Sequence, residues 1–273
     1  MDYKRELQST MLEMIKDIDD VCKKNNIDYS LAYGSVLGAV RHKGFIPWDD
    51  DLDIMMKYDD YLKFIECCKK ELDKNKYFVQ NDNTEPNFYL RFTKIRNIQT
   101  VLIENSNKNE NITFGVYIDV FPLVGCPNNK FKRKIQNVYR AFAMSVDRSV
   151  INNKILYFIF SIIKSIFGKK IILKHTYKKC VKLDCENSNY LCCIFDGDGY
   201  YKNIVEKKDV FPTIRVDFED VKLPIPNNYH KYLTSIYGDY MKIPTEEEKI
   251  KSTHQPYYIN LKGSDINEKQ WSK

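Results

Sequence analysis

The chain has 273 residues, 43% of them hydrophobic, enough for one large domain or a catalytic core with an insert. Lys and Arg number 43 against 37 Asp and Glu, a formal charge of +6 that suits an anionic donor or an anionic membrane surface. No recognised nucleic-acid motif and no dense basic run with interleaved aromatics accompanies that excess, which argues against a nucleic-acid partner.

Residues 2–26 read as a helix, with Leu7, Met11, Met14, Ile15, Ile18, Val21 and Cys22 recurring at three and four. The beginning, MDYKRELQST, is charged and polar and shows no signal peptide, so the expectation is a cytoplasmic chain with reduced thiols. Residues 29–33 form the first core strand, and residues 35–41 a short helix whose N-terminus is placed to meet a phosphate. Residues 51–56 are the second strand, and 58–72 a helix with Tyr61, Leu62, Phe64, Ile65 and Cys68 on or near one face. Residues 77–80, 88–95 and 100–104 are expected as sheet strands, with Arg91 and Lys94 on the second of them either contacting phosphate or ribose or facing solvent. Residues 116–121 form a further strand carrying Asp119.

The next part turns helical. Residues 130–150 are basic and amphipathic, and ILYFIFSIIKSIF, residues 155–167, is the most apolar stretch of the chain. Thirteen residues fall short of the roughly 20 that span a bilayer. They form either a buried helix or an interfacial one, with Lys154, Lys164, Lys169, Lys170 and Lys174 meeting anionic headgroups. Cys180, Cys185, Cys192 and Cys193, with His175 nearby, have the residue types of a zinc site, but the spacing fits no familiar finger and buried inert thiols are the plainer reading. Asp198, in FDGDGYYK, belongs to a turn or contacts an acceptor sugar. A helix over 228–236 ends at Gly238, and YGDYM there is either a pocket wall or a capped terminus.

The chemistry concentrates in YSLAYGSVLGAVRHKGFIPWDDDLDIMM, residues 29–56. On a strand Asp51 and Asp53 point to one face while Leu52 and Ile54 enter the core. Like charges about 4 Å apart repel by roughly 1 kcal/mol in water and about 4 kcal/mol at an effective dielectric near 20, so such acids need a cation, a proton or full exposure. Asp49 and Asp50 also fit an exposed acidic turn after Pro47. Gly34 and Ser35, in the turn between the strands, offer backbone N–H groups to a phosphate. Arg41 and Lys43 either neutralise a leaving group or are solvated turn residues. Asp119 is the one charge in FGVYIDVFPL. It is either paired with a core Lys or Arg, or it is a third metal ligand or a proton acceptor. An all-oxygen set favours Mg²⁺ or Mn²⁺ over zinc.

GSVLGAVRHKGFIPWDDDLDI resembles the signature of the LicD family, whose relatives include the fukutin-related proteins. VFPTIRVDFEDVKLPIPNNYHKYLTSIYGDYMKIP, residues 210–244, is similar to that family's closing segment, and His254 follows where such proteins often carry a histidine. The resemblance implies a nucleotidyltransferase-like core. With the elements above it gives an α+β chain: a mixed sheet flanked by helices, plus a helical insert. The expected division is 1–125 as catalytic core, 126–200 as a mostly helical, membrane- or acceptor-facing insert, and 201–273 completing the core. The resemblance also implies transfer of a phospho-alcohol, most often phosphocholine, from CDP-choline or another CDP-alcohol donor to a glycan acceptor, in some cases lipid-linked. Asp51 and Asp53 stand at the family's metal-binding pair, and Asp119 where a third strand acid is expected. A choline donor calls for aromatic faces around its quaternary ammonium. Alternatives are a phosphoribitol or phosphoglycerol transferase, a true nucleotidyltransferase that releases pyrophosphate from an NTP, and a non-catalytic domain of the same fold.

Overall fold

A computed structural model describes residues 3–145, 154–182, 187–195, 199–251, 253–254 and 256–262. Helix α1 (Tyr3–Lys24) buries Leu7, Met11, Met14, Ile15, Ile18 and Cys22 along one stripe. Each such side chain contributes about 1.5–3 kcal/mol on burial, so the stripe, more than helix propensity, fixes α1 against the sheet. There follow β1 (Tyr29–Leu31), α2 (Tyr33–His42), β2 (Asp53–Lys57), α3 (Tyr58–Glu71), β3 (Tyr77–Gln80), β4 (Thr93–Asn97), β5 (Val101–Glu104) and β6 (Val116–Cys126). Three helices come next, α4 (Lys130–Ser145), α5 (Lys154–Phe167) and α6 (Lys169–Cys180), then β7 (Tyr190–Cys193) and β8 (Ile204–Glu206). The remainder is α7 (Lys207–Val210), β9 (Ile214–Phe218), β10 (Val221–Ile225), α8 (Tyr229–Tyr237), α9 (Glu246–Lys251) and β11 (Pro256–Asn260).

The main sheet is mixed and runs β1-β2-β6-β4-β3, with β7 and β8 attached beyond the far half of β6. Only β2 and β6 run parallel; the other pairings are antiparallel. β6 pairs with β4 through residues 116–120 and with β7 through 123–126, so one long strand joins two halves of a curled sheet. α1 and α3 pack on this sheet, and the β9–β10 hairpin packs beside β1 and α2. At the hairpin turn Glu219 accepts from Phe45 N at 3.1 Å and its own N–H donates to Lys43 O at 2.8 Å. Gly38 of α2 allows the chain to return closely after the helix: a Cβ there would lie 2.5 Å from Gly44 O.

Several expected strands differ: the first ends at Leu31 because Tyr33 already opens α2, and the strand carrying Asp119 runs on to Cys126. The second strand begins at Asp53, leaving Asp51 just ahead of it. Strand β4 starts at Thr93 because the apolar side chains of Phe88, Leu90 and Phe92 serve the lining of a cleft and not a sheet face. β5 lies outside the main sheet and pairs with β11 instead.

Of the two readings of 155–167, a buried helix or an interfacial one, the buried one does not fit the exposure of α5. In α5 Phe158 is 65% exposed and Ile166 68%, with Ile159, Ile162 and Phe167 exposed as well. α5 rests on its neighbours through Ile163, which packs with Phe142, Ile172 and Leu173. Among the described residues no helix is long and apolar enough to cross a membrane. α4 and α6 share a separate small core with β7, containing Val124, Cys126, Ala143, Cys180 and Cys192.

Candidate active site

The parallel register of β2 and β6 sets Asp53 opposite Asp119, and the antiparallel register of β4 and β6 sets Lys94 opposite Asp119. Residues opposite one another on adjacent strands share a face, so Asp53, Asp119 and Lys94 form a row across three strands. That row forms part of the wall of a cleft of about 950 Å³ which also takes in Asp49, Asp51 and Gly34. α2 and β6 hold the start of β2 in place: Asp53 N donates to Ser35 Oγ at 2.9 Å, Ala32 N to Asp53 O at 2.9 Å, and Asp119 N to Leu52 O at 3.1 Å. Ser35 therefore fixes β2 and does not turn its hydroxyl to the cleft. At the N-terminus of α2, Tyr33 N donates to the Tyr232 hydroxyl and Ser35 N returns to Ala32 O, which leaves Gly34 on the cleft wall. A Cβ at Gly34 would stand 3.0 Å from Asp49 Oδ2.

The acids are held at high proton affinity. Burial, then the charges of Asp51, Asp119 and Asp49, push Asp53 well above the usual carboxylate range. Burial raises Asp51 to about 6 despite nearby His254. Asp49 is raised well above its usual value by burial and by Asp51 and Asp50. Asp119 is raised by burial, with Lys94 opposing. Lys94 Nζ donates to Asp119 Oδ2 at 3.0 Å and lies 2.7 Å from Oδ1, outside hydrogen-bonding geometry. Asp119 Oδ1 is the single buried side-chain polar atom among the described residues that accepts no hydrogen bond. A carboxylate oxygen that is ion-paired but accepts no hydrogen bond, beside three mutually repelling acids, makes an all-oxygen set suited to a hard cation. Lys94 also sits 3.3 Å from the centroid of the Tyr117 ring, which fixes its ammonium from beneath.

A second cluster adjoins the first. Asp50 is buried, accepting His254 N at 2.9 Å through Oδ2 and His254 Nδ1 at 3.2 Å through Oδ1. His254 Nδ1 is also 3.7 Å from Asp51 Oδ2. The hydrogen bond to Asp50 raises His254 to about 9, so it is an imidazolium at neutral pH. Asp50, Asp51 and His254 are the one set among the described residues whose ligand atoms all lie within 4.8 Å of one another. Asp53 and Asp119 fall outside that set: they share the cleft with Asp51, while Asp119 is turned to Lys94. Asp50 is thus no exposed turn residue. Its partner lies 204 positions away, with no local signal in the sequence.

The other expected residues divide. Arg41 lines the cleft and donates to Tyr240 O at 2.8 Å and Lys242 O at 3.2 Å. Lys43 is the left-handed C-cap of α2, at φ 60°, and is not on the cleft wall. Arg91 is buried away from the cleft, donating to Ala143 O at 3.5 Å and pairing with Asp82 at 3.4 Å. Lys94 and Arg91 are both enclosed by protein, not solvent-facing. Tyr237, Asp239 and Tyr240 of YGDYM line the cleft, as do Trp48, Phe88, Tyr89 and Phe92. Cys180 and Cys192 lie in the small core while Cys193 faces the main core, so these three described thiols are not gathered for a metal. Cys185 and Asp198 lie outside the described residues.

Residues 26–152 match the LicD family, described as the LicD/FKTN/FKRP nucleotidyltransferase domain. Over 271 residues the chain is 28% identical to the lipopolysaccharide cholinephosphotransferase LicD of Haemophilus influenzae, covering 93% of this chain and 97% of that protein. Shorter stretches are similar to uncharacterized proteins of two Rickettsia species. One, of Rickettsia typhi, is 46% identical over 55 residues, 20% of this chain and 18% of that protein. The other, of Rickettsia prowazekii, is 47% identical over 51 residues, 19% of each.

Proposed function

We propose that this chain, which carries a LicD-family domain, is a metal-dependent transferase that moves phosphocholine from CDP-choline to a sugar hydroxyl of a cell-surface glycan precursor. The observation that carries this is the row of Asp53, Asp119 and Lys94 on three adjacent strands, beside Asp51 in one cleft. The full-length similarity to a cholinephosphotransferase supports the substrate class, and the family's domain description supports a nucleotidyltransferase-like core. The chain works in the cytoplasm on this reading, with a lipid-linked acceptor presented at the inner face of the membrane.

Asp51, Asp53 and Asp119 would hold Mg²⁺ or Mn²⁺, which supplies neutralisation of the donor's pyrophosphate oxygens. Gly34 gives the phosphates close backbone approach. Lys94 and Arg41 offset charge gathering on the departing CMP. If Asp51 and Asp53 hold the ion without it, Asp119 is instead the group that takes the proton of the acceptor hydroxyl. Trp48, Phe88, Tyr89 and Phe92 offer the faces a quaternary ammonium requires.

The test is to incubate the protein with a panel of CDP-alcohols and NTPs plus Mg²⁺ and a glycan acceptor. CMP release with CDP-choline is expected. A preference for CDP-ribitol or CDP-glycerol changes the alcohol only. Pyrophosphate released from an NTP assigns a nucleotidyltransferase instead, and turnover with none of them leaves a non-catalytic domain.

A further inference from the structure

Helices α4 to α6 differ in charge from everything else in the chain. Residues 130–180 contain thirteen Lys or Arg and one acidic residue, Asp147, a net of +12, so the other residues together carry −6. None of the described residues of α4, α5 and α6 is acidic. On this basic arm α5 presents Phe158, Ile159, Ile162 and Ile166 to solvent. Their spacing of three and four residues makes one stripe along the helix. Ile163 faces the other way, onto Ile172. The stripe does not stop at α5: Phe167 and then Ile171, at the start of α6, are exposed too. Exposed lysines accompany it, Lys164 on α5 and Lys174, Lys178 and Lys179 on α6.

A contiguous exposed apolar stripe marks a contact site. The charge around it selects among partners: helices whose described residues include many lysines and arginines and no acid fit a sheet of anionic groups, and large apolar side chains set between lysines fit the boundary of headgroup and acyl chain. At about 1.5 Å per residue the fourteen-residue α5 is about 21 Å long, shorter than the roughly 30 Å hydrocarbon core, so it lies in the surface and does not cross it.

We infer that α5 is an in-plane membrane anchor that seats the α4–α6 arm on an anionic bilayer. The inference deepens the proposed function, resting on it only for the placing of a lipid-linked acceptor; binding to lipid requires no turnover.

The test uses the full chain with vesicles of phosphatidylcholine alone and of phosphatidylcholine mixed with phosphatidylglycerol. Co-sedimentation with the mixed vesicles is expected to exceed that with neutral ones by roughly tenfold or more, and rising salt should remove most of the difference. The double variant Phe158→Ser, Ile166→Ser should lower partitioning about tenfold or more, with circular dichroism unchanged. A Lys174→Gln, Lys178→Gln, Lys179→Gln variant should lose the preference for anionic vesicles while retaining the weak neutral binding. Equal binding to both vesicle types overturns the inference. So does undiminished binding by the serine variant, or unfolding of that variant in buffer, which would make α5 a core helix. Light scattering covers the remaining occupant: a wild-type dimer that the serine variant converts to monomer assigns the stripe to a second copy and also overturns it. CMP release with a water-soluble acceptor, measured on the same samples, reports separately on the proposed function.

Discussion

The acid-lined cleft and the α4–α6 arm reverse the usual placement of residues in opposite ways. In the cleft, charge is enclosed: Lys94 is 5% exposed, Asp53 and Asp119 sit in a row on adjoining strands, and Asp50 is buried beside it against His254. On the arm, apolar side chains are bare, with Phe158 65% exposed among lysines. Enclosed charge costs free energy and persists where a partner of opposite sign compensates. Bare apolar surface persists at little cost to the folded chain, because its partner lies outside it. The cleft is thus a site the fold has built under strain, and the arm a surface the fold has left unfinished.

The largest effect should come from Lys94. Lys94→Met removes the counter-charge of Asp119 and should cost about 3–5 kcal/mol of stability at neutral pH, measured by denaturant unfolding. The deficit should shrink as pH falls and Asp119 takes up a proton. A neutral outcome would break the contrast, since the cleft would then hold no enclosed pair.

Asp53→Asn should lower turnover about 10²–10³-fold, the scale for removing one electrostatic contact at a reacting phosphate. Its melting temperature should stay level or rise, because burial and the neighbouring acids already oppose ionisation there. Full activity at saturating Mg²⁺ removes Asp53 from the metal set.

A smaller effect concerns pH and metal. Asp51, raised from 3.8 to about 6, is a group whose folded affinity for protons exceeds the unfolded one. Its contribution is present below pH 3.8 and is lost as pH rises through about 6. His254 acts in the same direction, its contribution being present below 6.5 and lost as pH rises through about 9. The metal-free protein should therefore melt at progressively lower temperature from pH 4 to 9. Mg²⁺ at a hundredfold excess over its Kd should restore about 2.7 kcal/mol at pH 8, a shift of several degrees, and nearly nothing at pH 4. A Mg²⁺ shift of the same size at both pH values would mean that the ion binds elsewhere.

The smallest effect sharpens the other half of the comparison. Phe158→Ser should change stability in lipid-free buffer by no more than about 0.5 kcal/mol, whereas Met14→Ala in α1 should cost about 2–5 kcal/mol. Thermal melts of the two variants side by side separate bare from buried apolar residues.

Local periodicity carried much of this molecule. The spacing of apolar residues marks α1 and α3, amphipathic and apolar runs mark α4 and α5 but not α6, and Gly34, Asp51 and Asp53, legible as a turn and an acid pair, line the cleft. Arg91 and Lys94 show where that stops. Both appeared as cations on one strand, but β4 begins between them, so Lys94 joins the row with Asp119 and Arg91 turns to Asp82 and Ala143. The sequence leaves Asp119 open to two readings, ion pair or site acid. The structure gives it a buried lysine partner and places it beside Asp53, so the two are compatible.

The sequence by itself determined which residues bear charge within apolar runs, because alternation along a strand and the cost of burying a carboxylate are local facts. Only the tertiary structure decided what those charges meet. Strand register sets Lys94 and Asp53 on either side of Asp119, and the return of the chain brings His254 to Asp50. The same division holds for α5. Its composition makes it apolar, whereas its exposure depends on the packing of α4 against α6, which among the described residues of α5 covers Ile163 and leaves Phe158, Ile159, Ile162 and Ile166 exposed. Contacts between residues far apart in sequence follow from the whole fold, and no spacing rule encodes them.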